Sequence, residues 1–130
     1  MSKHLAIFTG NSAEDILQGK KTIEIRFSKA KIAPYGMVSV GDLVYIKPSG
    51  NEIIGQFRVK KVIFYDGLTP ADILDIEIRF GQDIMADQTY WSDRSNSTYA
   101  TIIFIGECNR FLTSPIKIPK KDLRGWVVLG

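Results

Sequence analysis

The residues best equipped for chemistry lie in one octapeptide near the amino terminus. It reads Gly19-Lys20-Lys21-Thr22-Ile23-Glu24-Ile25-Arg26. Lys21 and Arg26 supply N–H donors and positive charge, whereas Glu24 supplies a carboxylate acceptor. Glu24 and Arg26 are two residues apart, so on a strand they share one face. The three groups predict a site for an anion or a polar base, and the spacing alone leaves a structural ion pair as the alternative.

A second set of candidates lies in the polar segment 82–98 and just after it. These residues are Tyr90, Trp91, Arg94 and Tyr99. Aromatic faces stack on unpaired bases, and arginine binds phosphates or base edges, which is how proteins usually hold single-stranded RNA. The alternative is that Trp91 and Tyr99 pack into the protein interior. The polar composition predicts that 82–98 is the most mobile segment.

The charge distribution is compatible with a phosphate-bearing partner. The net charge of +3 divides into +4 for residues 1–66, −4 for 67–99 and +3 for 100–130. Such basic ends suit a nucleic acid, although an ordinary solvated surface explains them equally well. A basic strip near the carboxyl terminus could extend a phosphate-facing surface, or could simply be solvated. Its residues are Lys117, Lys120, Lys121 and Arg124.

Several function classes are excluded by what the sequence lacks. It has no glycine-rich phosphate-binding motif, which argues against a nucleotide-driven motor or a dinucleotide enzyme. His4 is the only histidine and Cys108 the only cysteine, so the sequence offers almost no residues from which to build a His-based zinc site or a Ser-His-Asp triad. The acidic residues between 83 and 93 do not have calcium-loop spacing. We therefore predict no metal and no cofactor.

The segments that position the candidates follow from periodicity and turn residues. Ser12 as N-cap and Gly19 as stop predict a helix of barely two turns, followed by an alternating strand over 22–27. Its alternation predicts one core face and one open face. Strands at 43–47 and 53–65 form a predicted hairpin. Thr69 and Pro70 begin a second helix that Gly81 is predicted to end. Further strands are expected at 5–9, 99–111 and 126–129.

This order of elements predicts the fold class. Mostly antiparallel strands with two or three short helices favour an α+β fold built on a β-barrel, as one domain spanning 1–130. With no apolar run of membrane-spanning length and no signal peptide, we expect a cytoplasmic protein that does not bind membranes. The oligomeric state is left open.

The octapeptide and a second motif together carry a resemblance to a known family. The pattern G-x-K-x-x-E-x-R, followed by Gly41-Asp42-Leu43-Val44, resembles the ASCH domain, a relative of the PUA RNA-binding barrel. The resemblance implies a PUA-like barrel in which the motif lines a cleft. It implies that Lys21, Glu24 and Arg26 bind RNA or a nucleotide-like ligand there.

The same resemblance keeps a small hydrolase as the alternative. One branch of the family hydrolyses N4-acetylcytidine with a Lys, Thr and Glu set, and other members cleave RNA. Lys21 matches that lysine, but Glu24 stands in place of the threonine, and the position of the second carboxylate is left open, with Asp83 and Asp87 as suggestions. If the protein is an enzyme, its predicted catalytic residues are Lys21 and Glu24. An adjacent carboxylate favours the charged form of a lysine, which makes Lys21 a poorer base.

Overall fold

The computed structural model describes residues 1–113 and 124–130. Its six strands and three helices follow the predicted order, with one additional helix, α3, inside the segment expected to be mobile. Predicted and observed strand ends agree to within two residues. The elements are β1 (Lys3–Phe8), α1 (Ser12–Leu17), β2 (Ile23–Ser28), β3 (Leu43–Pro48), β4 (Gly55–Asp66), α2 (Pro70–Ile84), α3 (Gln88–Asp93), β5 (Tyr99–Arg110) and β6 (Trp126–Val128).

The strands form one curled sheet in the order β2-β5-β4-β3-β1-β6. Neighbours pair antiparallel except for β1 and β3, which are parallel. The sheet therefore has β2 at one edge and β6 at the other, and its curl makes a half-barrel. This is the predicted mostly antiparallel α+β barrel. Within the described residues, no helix has the length and apolar character needed to span a membrane.

Alternation along β2 and β5 separates two hydrophobic cores. Ile103 faces the interior of the curl, where it joins a cluster that includes Phe57 and Trp126. Ile25 and Ile102 face the other way and pack beneath α2 and α3. Because side chains alternate along a strand, Glu24 and Arg26 lie on the inner side of β2.

The predicted helix ends needed two corrections. Helix α1 begins at Ser12, and Asn11 occupies the N-cap position without a side-chain hydrogen bond. Helix α2 begins with the predicted cap, Thr69, in a capping box with Asp72, but it continues through Gly81 to Ile84. Glycine in a helix interior costs only about 1 kcal/mol. Burial of the fully inaccessible Ile84 side chain contributes more than that, so the helix extends.

The Gly41-Asp42 motif has a structural explanation. Gly41 adopts a φ of 90°, a left-handed conformation that favours glycine. The buried Asp42 carboxylate then accepts hydrogen bonds from the backbone N–H of Ser2 and from His4 Nε2. Trp126 Nε1 donates to His4 Nδ1, so the imidazole proton lies on Nε2. The motif thus links β1 and β6 to the start of β3.

Candidate functional site

A cavity of about 680 Å³ lies along the free edge of β2. The turn after β1 forms one side of it, and the junction between α2 and α3 forms the other. Its volume falls within the range typical of small-molecule sites. The polar side chains that line it are Thr9, Asn11, Ser12, Asp15, Lys21, Glu24, Arg26, Ser49, Asp87, Tyr90 and Arg94.

Lys21, Glu24 and Arg26 form a connected ion cluster in the wall of this cavity. Glu24 Oε1 lies 3.2 Å from Lys21 Nζ, and Glu24 Oε2 lies 3.0 Å from Arg26 Nη2. The residues Lys21 and Glu24 are only 4% and 7% exposed. The expectation of an open face on β2 was therefore wrong for Glu24, although Thr22 on the same face is exposed and Arg26 is partly exposed. Glu24 is covered because the sheet curls around it and the polar groups satisfy one another.

Strand alternation would place Lys21 on the same face as Ile23, so a bend after Gly19 is needed to bring Lys21 to Glu24, and this bend is present. Gly19 has a φ of 77°, and the backbone N–H of Lys21 donates to Asp15 O at 3.0 Å. Lys21 Nζ also donates a hydrogen bond to the carbonyl of Ile84, at the carboxyl end of α2. A lysine is favourable there because the last carbonyls of a helix carry partial negative charge. Lys21 therefore joins β2 to α2.

Glu24 holds the cluster together and has no free oxygen. Oε1 also accepts from the backbone N–H of Ile25, and Oε2 accepts from both Nε and Nη2 of Arg26. Burial alone would raise the pKa of Glu24. The charges of Arg26 and Lys21, with their hydrogen bonds, outweigh that effect and hold the pKa of Glu24 below its usual range. The carboxylate is thus ionised and fully engaged.

Arg26 ties the two edges of the sheet together. From β2 its guanidinium donates to Ile7 O in β1 and to Gly125 O just before β6, both at 3.0 Å. Its charged carbon also lies 5.0 Å and 5.3 Å from the ring centres of Phe8 and Trp126. Planar guanidinium groups favour such stacked and forked arrangements. The arginine of the motif therefore closes the open side of the half-barrel.

Tyr90 in α3 and Arg94, which directly follows that helix, form the opposite wall. The Arg94 guanidinium lies 3.7 Å from the centre of the Tyr90 ring, and Arg94 Nη1 donates to Tyr90 O at 3.3 Å. The Tyr90 hydroxyl donates to Ile25 O at 2.9 Å on the edge of β2. Burial, and then the nearby Glu24 charge, raise the pKa of Tyr90. The phenol therefore stays neutral and presents its ring beside a positive charge.

Trp91 and Tyr99 do not line the cavity. Trp91 is 4% exposed and packs edge-on against Phe27 in the core beneath α3. Tyr99 packs against Tyr35, with ring centres 5.0 Å apart and the rings tilted by 59°, and it lies under the Lys31 ammonium. The expectation of exposed aromatics on a mobile loop was wrong for Trp91, because Asp87 caps a short helix that buries it. Of these four residues, only Tyr90 and Arg94 line the same cavity as the side chains of the octapeptide.

Two carboxylates in the cavity had weak signals in the sequence. Asp87, one of the two residues suggested as a second catalytic carboxylate, lines the cavity. Its Oδ1 accepts a hydrogen bond from the backbone N–H of Tyr90. Asp83, the other suggestion, is not among the lining residues. Asp15, which the sequence analysis did not select, lines the cavity beside Lys21. Its only signal was its position in the helix before Gly19.

The proposed basic strip falls largely outside the described residues. Lys117, Lys120 and Lys121 lie in the segment between 113 and 124, for which the structure gives no description. Arg124 is described, and its backbone immediately precedes the Gly125 carbonyl that Arg26 contacts. The strip therefore stays a prediction.

Comparisons with known proteins agree with this fold. No curated protein sequence matches the chain significantly. The crystal structure of the ASCH protein from Zymomonas mobilis is similar, with a TM-score of 0.65 and 15% identity over 83% of this chain and 69% of that chain. A point variant of that protein gives a TM-score of 0.66 and 15% identity over 85% and 73%. The crystal structure of a hypothetical protein gives a TM-score of 0.53 and 17% identity over 78% and 94%.

The structural similarities, at such low identity, establish the fold alone. Family membership rests on the sequence, because the sequence profile of the ASCH domain matches residues 10–118. This match begins before the octapeptide and includes the Gly41-Asp42 motif, both α2 and α3, and most of the sheet. The chain therefore belongs to the ASCH domain family, and its fold is PUA-like.

Proposed function

We propose that the protein binds single-stranded RNA by taking one nucleotide unit into the cavity along β2. The observation that carries this proposal is the ion cluster of Lys21, Glu24 and Arg26 in the wall of a 680 Å³ cavity, opposite Tyr90 and Arg94. A preorganised cluster loses little entropy on binding, which favours recognition of a defined ligand. Membership of a PUA-like family supports RNA as that ligand.

The charges in the cavity favour a base with polar edges over a bare anion. Among the described residues, three cationic side chains line it, and three carboxylates balance them, namely those of Glu24, Asp15 and Asp87. Nucleobases carry both donors and acceptors on their edges, so a mixed set of protein groups can bind them. An isolated phosphate would gain from the cations but would be repelled by Asp15 and Asp87. The phosphate of a bound nucleotide is better placed near Arg94, at the less buried wall.

A hydrolase is the second candidate, and one observation favours it. Asp15 and Asp87 place carboxylates in the same cavity as Lys21, which supplies the charged groups that acid–base catalysis needs. Glu24 itself is a poor general base, because its lowered pKa and four hydrogen-bond donors leave it little affinity for a proton. We therefore place binding first and turnover second.

The test is a titration of a short single-stranded RNA with wild type and an Arg94→Ala variant. Arg94 contacts Tyr90 but not the buried ion cluster, so its removal should leave the fold intact. We expect an affinity loss of about tenfold, because one phosphate or base-edge contact is removed. Wild-type affinity should also fall as salt rises, since phosphate contacts release counterions.

Arg79→Ala is the matched control. Arg79 is an exposed arginine of α2 that pairs with Asp75 at 3.5 Å and does not line the cavity. Equal losses of RNA affinity for Arg79→Ala and Arg94→Ala would show nonspecific charge attraction and contradict the proposal.

Incubation of wild type with N4-acetylcytidine and with the RNA, followed by chromatography, tests the second candidate, a hydrolase. Robust product formation would put the hydrolase first.

A further inference from the structure

A second, smaller cavity lies on the other side of Arg26. Its volume is about 190 Å³, and it shares Arg26, Phe27 and Gly125 with the larger cavity. Ile32 and Tyr35, from the segment between β2 and β3, form part of its wall. Ile32 is 59% exposed, so the rim of this cavity is open to solvent. The two cavities thus meet at one shared arginine.

Thr101 gives the smaller cavity a polar group of its own. Thr101 lies opposite Arg26 in the pairing of β2 with β5, so both side chains are on the inner side of the sheet. The residue is 1% exposed and lines the cavity. Among the described residues, its hydroxyl oxygen has no hydrogen-bond partner. Such a buried, unpartnered hydroxyl is unusual in a folded protein and calls for a specific explanation.

The lining of this cavity suits a small flat heterocycle. Ile32, Ala33 and Pro34 offer an apolar surface, and Tyr35 adds an aromatic ring. The Thr101 hydroxyl can both donate and accept, so it can bind the polar edge of a base. The small volume favours a one-ring pyrimidine over a two-ring purine.

Arg26 can hold the phosphate that links two nucleotides. Its Nη1 donates to Gly125 O at 3.0 Å and carries a second hydrogen. The side chain is 19% exposed, so this part of the wall is accessible. Guanidinium is well matched to phosphate, and it sits where the two cavities meet.

We propose that the smaller cavity binds the pyrimidine base next to the nucleotide held in the larger cavity, with their linking phosphate over Arg26. The protein then recognises two successive nucleotides rather than one. This inference rests on the proposed function of the larger cavity.

Calorimetric titration with UMP and with the dinucleotide UpU tests it, using wild type and Thr101→Val. Valine keeps the shape of threonine and removes the hydroxyl. In wild type, UpU should bind on the order of tenfold more tightly than UMP, because a second base is held. Thr101→Val should lose most of that gain and leave UMP binding unchanged. Its melting temperature without ligand should be equal or higher, since an unpartnered polar group is gone.

Thr89→Val is the control, because Thr89 is exposed on α3 and lines neither cavity. It should behave as wild type with both ligands. Wild type that binds UMP and UpU equally would overturn the second subsite while leaving the larger cavity's role intact. A Thr101→Val variant with wild-type affinity for UpU would also overturn the second subsite. A Thr101→Val variant with a lower melting temperature would overturn it as well, because the hydroxyl would then stabilise the fold rather than bind a base. Absence of binding by either ligand would overturn the proposed function and this inference with it.

Discussion

Replacing Glu24 by glutamine is expected to destabilise the folded protein by about 3–5 kcal/mol, because it leaves the charges of two largely buried cations uncompensated. Lys21 and Arg26 both depend on this carboxylate, through Oε1 and Oε2 respectively. Glutamine has nearly the same size, so the loss reports charge and hydrogen bonding rather than a cavity. Denaturant unfolding of both proteins at neutral pH measures it.

The pH dependence identifies the cause of that loss. The pKa of Glu24 lies below its ordinary value of 4.5, so the folded state binds fewer protons than the unfolded state in the acid range. The stabilisation is therefore present above about pH 4.5 and is lost as the pH falls through the folded pKa. The difference between wild type and Glu24→Gln should shrink in acid.

Glu14→Gln provides the matched control. Glu14 also pairs with an arginine, Arg110, but both side chains are about half exposed. Water screens such pairs, so little change in stability is expected. If Glu24→Gln were as mild as Glu14→Gln, the buried cluster would not be the structural centre of the site.

Replacing Trp91 by alanine is expected to cost about 3–5 kcal/mol of folding stability, the usual range for deleting a buried tryptophan. Trp91 fills the core between α3 and β2, where it contacts Phe27 and Tyr90 edge-on. Its loss should lower the melting temperature and loosen α3, which Arg94 directly follows. Thermal unfolding monitored by circular dichroism measures the change.

Tyr99→Ala is the comparison variant for Trp91→Ala, because both changes remove an aromatic ring but only Trp91 is fully packed in the core. Tyr99 is only partly buried and lies outside the larger cavity, so its replacement should reduce stability less than that of Trp91. A Trp91→Ala protein with wild-type stability but much weaker RNA binding would contradict our assignment. It would return Trp91 to the role of a stacking platform.

The extent of prediction from sequence depended on how local each signal was. The cap at Thr69 and the turn after β3 are set by neighbouring residues, so the start of α2 and the hairpin of β3 and β4 were predicted correctly. The pentapeptide Ile-Glu-Ile-Arg-Phe occurs in β2 and again in α2, and its flanking residues predicted strand for the first copy and helix for the second. In contrast, the passage of α2 through Gly81 depends on burial of Ile84, which only the tertiary structure supplies.

The candidate site divides in the same way. The spacing of Glu24 and Arg26 predicted their shared face, and the need for a bend at Gly19 followed from strand alternation. The contact of Arg26 with Gly125 O spans 99 residues, and that of Lys21 with Ile84 O spans 63. Such long-range contacts have no local signal, so the role of Arg26 in joining the sheet edges could not be predicted. The prediction that Trp91 binds a base was wrong for a related reason, since a segment of polar composition can still bury a single aromatic side chain.

The most direct test of the central claim is a crystal structure of the protein with a short single-stranded RNA bound. Our account predicts one nucleotide inside the larger cavity, its base within hydrogen-bonding distance of Lys21, Asp15 or Asp87 and its phosphate near Arg94 or Arg26. RNA bound on a different surface, with nothing in the cavity along β2, would contradict it.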